Sequence, residues 1–401
     1  MIPRPYQIAG RDFLASRRHA LLADGMRVGK TPQAILAAKA IGARRVLVVG
    51  PAIAVEHWKR EWVKWWPAED SIPFNMVVIS YDRLRRNSVE YLSQRYDLAI
   101  VDECHFAKNP EAQRTQLIFG RGGLGWCSDR VWCLSGTPAT KHAGELYPMM
   151  KAFGVTNLSY SAFTRRYCSF AWDGSIKGTN PYRIPELKAL LATFMLRRTR
   201  AEIAPDMPKI GFEFLEVTPF EQVDLQLPSG ANYEDLKESD VDKEDRIAVA
   251  KAKALPLVEE IAEAIESGNL KQTVVFGWHT EPLEAVWQGL RARGINAHLI
   301  TGATTSAVRE RIQDSFRQGV CQVVVANILA AGTAIDLSAA SHGYFLELDW
   351  LSVNNMQAAN RLVSMQKAEP VTFDICTMPG TVDDRVQRVL MRRVNELNRL
   401  Y

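Results

Sequence analysis

The sequence predicts an α/β protein built from two parallel-sheet domains. The chain has 401 residues, which suits two domains of ordinary size. Short aliphatic runs alternate with helix-length amphipathic stretches over residues 20–150, and the same pattern restarts near residue 273. Continuous apolar runs separated by helix-length segments are typical of parallel strands that are covered on both faces of the sheet. We therefore expect one such sheet in each half of the chain.

The strands of each sheet follow from the aliphatic runs. In the first half, an apolar lead-in ends at Leu22, and further strands are expected at residues 45–49, 76–80, 98–102 and 131–135. In the second half, strands are expected at residues 273–276, 297–301, 322–326, 344–348 and 371–375. Between the two sets lie an Arg-rich helical piece that ends near 205–208, a strand at 212–217 and a charged, loop-like region at 234–245. The predicted domains are residues 1–205 and 206–401.

Composition narrows the class of protein. With 47% hydrophobic and 23% charged residues, the chain is ordinary for a soluble globular protein. No apolar run approaches the length of a membrane span and the N-terminus has no signal-peptide core, so we expect a cytoplasmic, nucleoid-associated protein with no membrane partner. The six cysteines include no CxxC pair, which predicts buried thiols rather than a zinc site or disulfides. A net charge of +4 is compatible with a nucleic-acid partner without requiring one.

Residues 23–31, Ala-Asp-Gly-Met-Arg-Val-Gly-Lys-Thr, have the composition of a phosphate-binding loop. An apolar strand precedes them and an Ala/Ile/Leu-rich helical segment begins at Gly29-Lys30-Thr31. In such a loop the backbone N–H groups hold a β-phosphate, Lys30 offers a cation to the β- and γ-phosphates, and the Thr31 hydroxyl can ligate Mg²⁺. The full pattern has glycine where Asp24 stands. A plain strand, turn and helix with a solvated lysine is the alternative interpretation.

Two further motifs follow predicted strands of the first half. Asp102-Glu103-Cys104-His105 comes directly after the run 98–101; there the first carboxylate can hold Mg²⁺ and the second can polarise an attacking water. Ser135-Gly136-Thr137-Pro138 follows the next strand, where a hydroxyl-Gly-hydroxyl turn can relay the state of a γ-phosphate to another surface. Acidic helix capping and an ordinary Ser/Gly/Thr turn are the respective alternatives.

The order of these motifs resembles superfamily-two helicases. The motifs concerned are Arg4-Pro5-Tyr6-Gln7, the loop 23–31, Asp102–His105 with Lys108-Asn109, and Ser135–Pro138 with Glu145-Leu146. More narrowly, residues 51–62, 79–82 and 194–200, and then 274–276, 300–302, 326–337, 349–350 and 357–361, are similar to the Swi/Snf-type DNA translocases. Tyr167-Cys168, the glycine-containing segment 174–178 and Glu186-Leu187 look most like the annealing-helicase branch, which remodels forks. The resemblance covers nearly the whole chain.

The resemblance implies two RecA-like lobes with an ATP cleft between them and small helical protrusions. It implies ATP and Mg²⁺ as cofactors, with catalysis by Lys30, Asp102, Glu103 and Arg361, and with Thr31 and Asp102 at the metal. Gln7 would read adenine, and Arg361 would reach the γ-phosphate from the second lobe. The implied nucleotide-binding set is Gln7, Asp24, Gly25, Met26, Arg27, Val28, Gly29, Lys30, Thr31, Gly332, Asp336 and Arg361.

The resemblance also implies a DNA-facing surface. Its residues would be Pro51, Ser80, Tyr81, Trp278, Thr301, Gly302, Asn327 and Trp350, and the coupling residues would be Ser135, Gly136, Thr137 and Gln357. The partner would be duplex or branched DNA, held through its backbone without sequence preference by a monomer. The four tryptophans at 58, 62, 65 and 66 have helical spacing, which favours core packing over base stacking.

Three positions depart from the family pattern. Arg27 stands where the loop usually has glycine, Ala334 replaces another glycine, and Ser364 stands where the last motif has a second arginine. We expect an ATP-dependent double-stranded DNA translocase, a helicase-like remodelling or annealing motor. The departures leave open a nucleotide-regulated DNA-binding protein with weak or lost ATPase turnover. An ATPase subunit that acts on protein or RNA is a further alternative.

Overall fold

The computed structural model describes residues 2–52, 54–66, 75–220, 243–331, 335–364 and 366–400, with the backbone alone for 392–400. The chain divides into two compact units. The first comprises Met1–Pro205 with Asn395–Tyr401, and the second comprises Asp206–Val394.

The first unit contains a six-stranded parallel sheet. Its strands are β1 His19–Leu22, β2 Arg45–Gly50, β3 Asn75–Ser80, β4 Tyr96–Asp102, β5 Ser128–Leu134 and β8 Met195–Leu196. The order across the sheet is β3-β2-β4-β5-β1-β8. Leu134 at the end of β5 pairs with Leu22 of β1 on one side and with Asp102 of β4 on the other. The predicted motifs that follow these three strands therefore leave the sheet side by side, at the same level.

Both faces of this sheet are buried, which explains its continuous apolar runs. On β2, Leu47 and Val49 join one apolar cluster, while Val46 and Val48 join the cluster on the opposite face. The helices of this unit are α1 Pro5–Ala15, α2 Lys30–Ala40, α3 Ala54–Trp65, α4 Tyr81–Arg86, α5 Ser88–Leu92, α6 Gln113–Phe119, α7 Leu124–Cys127, α8 Tyr147–Ala152, α9 Tyr160–Tyr167, α10 Ile184–Ala192 and α11 Arg200–Ile203.

The tryptophans of α3 pack inward, as their spacing predicts. Trp58, Trp62 and Trp66 are at most 1% exposed. Two elements of this unit have no counterpart in the sequence-based prediction. They are the strand β8 and an antiparallel hairpin of β6 Cys168–Phe170 and β7 Ile176–Thr179.

The second unit also contains a six-stranded parallel sheet. Its strands are β9 Ile210–Glu216, β10 Thr273–Gly277, β11 Ala297–Ile300, β12 Val323–Asn327, β13 His342–Phe345 and β14 Val371–Thr377, in the order β11-β12-β10-β13-β14-β9. The predicted α/β class with two parallel sheets is confirmed. The predicted strand at 344–348 is wrong in its bounds, because β13 spans His342–Phe345 and only the Leu346 N–H continues its bonding to β10, at Phe276 O.

The helices of the second unit are α12 Lys243–Glu266, α13 Thr280–Ala292, α14 Ser306–Arg317, α15 Ile328–Ala331, α16 Ser352–Ala359 and α17 Val382–Leu400. The loop-like region predicted at 234–245 is wrong at its end, since α12 begins at Lys243, and residues 234–242 lie outside the described part of the chain. From Ala254 onward, the apolar side of α12 joins the apolar cluster that contains strand residues of this sheet. Among the helices that the structure describes, none is long and apolar enough to span a bilayer.

Candidate nucleotide and DNA site

The predicted phosphate loop connects β1 to α2 and encloses its own lysine. Lys30 Nζ donates hydrogen bonds to the backbone oxygens of Asp24, at 3.0 Å, and Gly25, at 2.9 Å. Burial lowers the pKa of Lys30, and the nearby carboxylates of Glu103 and Asp102 oppose that shift. The lysine is therefore surrounded by acceptors that a phosphate would replace.

Asp24, the departure from the general loop pattern, is fully buried and paired. Arg198 donates to both of its carboxylate oxygens, from Nε at 3.0 Å and from Nη2 at 2.5 Å. The same guanidinium donates to the backbone oxygen of Tyr6 and to Gln33 Oε1. Arg198 thus joins α1, the loop and α2, a role that the Arg-rich segment 197–200 suggests but that its sequence alone does not assign.

Gln7 lies against the glycine that opens α2. Its Oε1 accepts a hydrogen bond from the Arg4 N–H at 2.9 Å. Gly29 caps α2 with a φ of 76°, and a Cβ at that position would come within 2.6 Å of Gln7 Nε2. Glycine is required at position 29 both by its left-handed conformation and by this close approach. The predicted adenine reader and the phosphate loop are therefore in contact.

Arg27 has a φ of 63°, in the left-handed region where the family has glycine. A non-glycine residue adopts this conformation at a cost of about 1 kcal/mol. Its neighbour Val28 is fully buried, which holds the loop in place, while Gly25 and Met26 are partly exposed. Arg27, which departs from the family pattern, is therefore a strained residue of the loop.

The acidic pair lies at the end of β4. Trp58 Nε1 donates to Asp102 Oδ2 at 2.7 Å, and the Glu103 N–H donates to Asp102 Oδ1 at 3.0 Å. Burial, followed by the charge of Glu103, raises the pKa of Asp102 to about 6. Glu103 has a φ of 49°, and its Oε2 lies 3.2 Å from His105 Nδ1. No pattern in the sequence indicates that Trp58 bonds to the predicted metal carboxylate.

The turn at Ser135-Gly136-Thr137 is adjacent to Lys30 and to the acidic motif. Ser135 Oγ lies 3.0 Å from His105 Nδ1 and accepts the Thr137 N–H at 3.1 Å. A Cβ on Gly136 would lie 3.5 Å from Lys30 Nζ, an ordinary van der Waals distance, so the turn passes directly beside the lysine. The turn is therefore close to Lys30 and is linked to Glu103 through His105.

The donor set fits Mg²⁺ with a nucleotide. Mg²⁺ is usually held by one or two carboxylates together with substrate phosphates and water. Thr31 is the second residue of α2 and Asp102 ends β4, and Asp102 stands level with Leu22, the last residue before the loop, through their common partner Leu134. Trp58 and the Glu103 N–H leave lone pairs of Asp102 available for a cation.

Among the DNA-facing residues predicted in the first unit, Pro51 and Ser80 are partly exposed at strand ends and Tyr81 is buried. Ser80 Oγ caps α4 by accepting the Arg83 N–H at 3.1 Å. Tyr81 Oη donates to the backbone oxygen of Asp102 at 2.7 Å. The Tyr81 hydroxyl therefore bonds to the backbone of the acidic motif, and the contact of Tyr81 with DNA stays a prediction.

In the second unit, Trp278 and Asn327 lie together at the ends of β10 and β12. Asn327 Nδ2 donates to the backbone oxygen of Trp278, and its Oδ1 accepts the Leu329 N–H at 3.0 Å. The buried Glu347 accepts the N–H groups of Trp278 and His279, at 3.2 and 2.9 Å. Glu347 therefore positions the loop that carries Trp278. The sequence analysis missed this role because it placed Glu347 within a strand at 344–348.

Thr301 and Gly302 begin the loop after β11. Arg309 of α14 donates to the backbone oxygens of Thr301 at 2.9 Å, Thr304 at 3.0 Å and Ala330 at 2.9 Å. A Cβ on Gly302 would meet no atom within 4 Å. Arg309 therefore fixes the two loops after β11 and β12 relative to each other, with Gly302 exposed.

Trp350 is 8% exposed and packs with Val249 and Met378. The guanidinium carbon of Arg246 lies 5.3 Å from the centre of a Trp350 ring. Trp350 is therefore largely buried in an apolar cluster of the second unit, and its contact with DNA stays a prediction.

The last motif continues from α16, which contains Gln357, into a short 3₁₀ turn at Asn360–Leu362. The backbone oxygen of Arg361 accepts the Leu337 N–H at 3.0 Å, which joins this motif to the segment containing Asp336. Lys367 Nζ donates to the backbone oxygens of Ser338 and Ala340. The predicted nucleotide residue Gly332 and the departure at Ala334 lie outside the described residues.

Comparison with known proteins matches both halves of the chain. Residues 70–224 match the SNF2-related domain, and residues 254–366 match the helicase conserved C-terminal domain. The chain is 30% identical to the "SWI/SNF-related matrix-associated actin-dependent regulator of chromatin subfamily A-like protein 1" of Bos taurus, over 98% of this chain and 44% of that protein. It is 24% identical to the "DNA annealing helicase and endonuclease ZRANB3" of Homo sapiens, over 97% of this chain and 39% of that protein.

The chain spans less than half the length of these two relatives. Among solved structures, the "Sulfolobus solfataricus SWI2/SNF2 ATPase core in complex with dsDNA" matches with a TM-score of 0.48 at 19% identity, over 97% of this chain and 90% of that one. The two matched domains follow each other in the order that the motifs predict. The chain therefore carries an SNF2-related domain followed by a helicase conserved C-terminal domain, and the proteins similar to it include annealing helicases.

Proposed function

We propose that this chain is an ATP-dependent motor that couples hydrolysis to movement along double-stranded DNA. One observation carries the nucleotide half of the proposal. Lys30, Asp102 with Glu103, and the Ser135 turn leave three neighbouring parallel strands at the same edge of the first sheet. A cation, two carboxylates and a small polar turn at one edge are the groups that phosphoryl transfer to water requires.

Each group has a distinct role in the proposed reaction. The N–H groups at the start of α2 and the Lys30 ammonium bind the phosphates, and Lys30 exchanges its two loop carbonyls for phosphate oxygens. Thr31 and Asp102 would hold Mg²⁺, which would supply positive charge to the phosphates. Glu103 orients a water and accepts its proton. Arg361 would supply positive charge to the transition state.

Three groups of observations support DNA as the partner. Pro51, Ser80, Trp278, Asn327, Thr301 and Gly302 all lie at or after the carboxyl ends of their strands, where α/β folds bind ligands. The loops that carry Thr301 and Trp278 are fixed by Arg309 and Glu347, and fixed loops suit binding to a regular backbone. The match to the SNF2-related domain adds to this support.

A nucleotide-regulated DNA-binding protein with little turnover is the second candidate. Arg27 holds a strained conformation in the phosphate loop. Ser364 stands in place of a second arginine, and its Oγ accepts the Gln366 N–H at 3.1 Å. An arginine finger contributes about three to five orders of magnitude to some phosphoryl transfers, so its reduction favours slow hydrolysis.

Phosphate release measured across nucleic acids tests both candidates. The protein is assayed with ATP and Mg²⁺ alone, and with single-stranded DNA, duplex DNA, forked DNA and RNA, at a fixed salt concentration because backbone binding depends on salt. The motor predicts strong stimulation by duplex or forked DNA. DNA binding that ATP alters without phosphate release would favour the second candidate, and stimulation by RNA alone would overturn the choice of DNA.

A further inference from the structure

The hairpin β6–β7 projects a closed turn from the first unit. Its strands pair antiparallel from Cys168 with Thr179 to Phe170 with Ile176. The turn is fixed by its own bonds: the Ala171 N–H donates to the Ser175 oxygen at 2.8 Å, and the Gly174 N–H donates to the Ala171 oxygen at 3.0 Å. The tip is therefore held in one conformation by backbone bonds, without help from packing.

Polar side chains complete the turn. Asp173 Oδ1 accepts the Ser175 N–H at 2.9 Å and the Ser175 hydroxyl at 2.6 Å. Gly174 has a φ of 78°, which glycine adopts without strain. Trp172, at the tip of the turn, takes part in none of these bonds.

Trp172 is fully exposed, at 108% of its reference area. Phe170, two residues before it, is 43% exposed, and Tyr182, which follows β7, is 91% exposed. An indole with its whole surface in water contributes nothing to the core, and its exposure is unfavourable by the apolar area that it leaves uncovered. The hairpin therefore presents aromatic faces that the fold itself does not use.

The stem is anchored rigidly. Arg166 bonds to Glu186 Oε1 of α10 at 2.7 Å, and the Tyr167 hydroxyl donates to the same oxygen at 2.7 Å. The Asn180 N–H, directly after β7, donates to the Tyr167 oxygen at 2.9 Å. These bonds therefore attach the stem of the hairpin to α9 and α10.

The charge around the tip is positive. Between Tyr160 and Ala192 there are five basic residues, Arg165, Arg166, Lys177, Arg183 and Lys188, and two acidic ones, Asp173 and Glu186. Glu186 pairs with Arg166 and Arg183, and Asp173 bonds within the turn; the segment as a whole keeps an excess of three basic residues over acidic ones. Exposed aromatic rings in a positively charged surrounding are the combination that binds unpaired nucleic acid, by stacking on bases and by attracting phosphates.

We propose that Trp172 at the tip of this hairpin stacks on an unpaired base next to a DNA junction. The inference rests on the proposed function and deepens it, since it assigns to the motor a preference for branched over plain duplex DNA. Bases within a duplex are covered on both faces by their neighbours. Only an unpaired or terminal base offers the open face that the indole can cover.

Equilibrium binding to two DNA molecules tests the proposal. One is a fork with unpaired arms and the other is a plain duplex of equal length, and 2-aminopurine stands at the first unpaired position of the fork. Trp172→Ala should weaken binding to the fork by about tenfold and remove the quenching of 2-aminopurine. Its affinity for the duplex should change by less than about twofold. Trp172→Phe should restore much of the fork affinity.

Trp126→Ala is the matched control, because Trp126 is also exposed, at 62%, on another element of the same unit. It should bind both DNA molecules as the wild type does. Equal fork affinity in Trp172→Ala and wild type would overturn the proposal and favour a protein-binding role for the tip. An equal loss on fork and duplex would also overturn it. A wild-type protein without DNA-stimulated turnover that still shows the Trp172-dependent fork preference would refute the proposed motor alone.

Discussion

Arg198 and Asp24 form a two-bond ion pair across 174 residues of sequence, with donor–acceptor distances of 3.0 and 2.5 Å. The carboxylate is fully buried, and the guanidinium is bonded at the same time to Tyr6 and Gln33. The phosphate loop is thereby fixed to the segment that follows β8. Arg198, which is outside the predicted nucleotide-binding set, consequently helps to set the shape of the predicted phosphate loop.

We expect Arg198→Ala to lower the free energy of unfolding by about 3–5 kcal/mol, because it leaves the buried Asp24 carboxylate without its partner. ATP affinity should fall with it. Arg198→Lys should recover only part of both losses, since an ammonium cannot make the paired contact. Urea denaturation and nucleotide titration of the purified variants measure the two effects. Arg114→Ala, an exposed arginine of α6, is the control and should change neither quantity.

Lys30→Ala should abolish ATP turnover and leave the fold intact. The ammonium bonds to the oxygens of Asp24 and Gly25, which can turn to water when it is removed. Phosphate release with DNA present, together with circular dichroism, checks this expectation. Lys59→Ala, which removes an exposed lysine of α3, is the comparison. A folded Lys30→Ala protein with wild-type turnover would refute the assignment of the phosphate loop.

Glu103→Gln should bind ATP nearly normally and fail to hydrolyse it, because the amide keeps the size of the side chain and loses the base. Glu103 also contacts His105, which in turn contacts Ser135. Single-turnover hydrolysis and equilibrium ATP binding separate the two steps. Normal hydrolysis by this variant would move the role of the base to another residue.

The pKa of Asp102 predicts a change of stability with pH in the protein freed of metal by a chelator. Burial and the charge of Glu103 raise this pKa from 3.8 to about 6. Folding therefore favours the protonated form, and this contribution is present below about pH 4 and is lost as pH rises through about 6. Asp102→Asn stays neutral, so its stability relative to the wild type should rise by about 2 kcal/mol from pH 4 to pH 7. Denaturation of both proteins across that range measures the difference, and a flat difference would contradict the shift.

Arg361→Ala should lower turnover at least as much as Lys30→Ala does and spare ATP affinity, because its charge acts mostly in the transition state. Ser364→Arg, which restores the second arginine, should raise the rate by about tenfold for each 1.4 kcal/mol of added stabilisation. Steady-state turnover and ATP binding of both variants test this pair. An Arg361→Ala enzyme as fast as the wild type would mean that Arg361 does not reach the nucleotide. A folded Ser364→Arg enzyme that is no faster would mean that chemistry does not limit turnover or that another cation fills the place, and the bonds of Lys367 to Ser338 and Ala340 argue against Lys367.

The sequence was sufficient to predict what depends on local pattern. The long aliphatic runs became the central strands, because each alternates its side chains between two buried faces. Motifs directly after these runs, such as Asp102-Glu103, were also placed correctly at strand ends. Here residue type and strand period act together, and both can be read from a few neighbouring positions.

What the sequence could not predict depends on contacts between distant residues. β8 has only two residues, Met195 and Leu196, and it forms because the neighbouring β1 offers it a partner. The role of Glu347 depends on an N–H pair 68 and 69 positions away. Trp350 is largely buried by packing with α12, and its motif does not indicate this. Such outcomes are decided by which surfaces meet, and no local propensity records that.

Leu134 pairs with Leu22 and with Asp102 at once, so β5 sets the relative level of the predicted phosphate loop and the acidic motif. A strand rises by about 3.3 Å per residue. Deleting one residue from β5 would therefore offset the two halves by more than a hydrogen bond can stretch, although every functional side chain would still be present. The turn at the tip of the β6–β7 hairpin sets no such level. A change of chain length at that tip would leave the pairing of β1, β4 and β5 intact, whereas a deletion in β5 would disrupt it. The spacing of the motifs at the ends of these strands therefore matters for the proposed catalysis as much as their chemistry does.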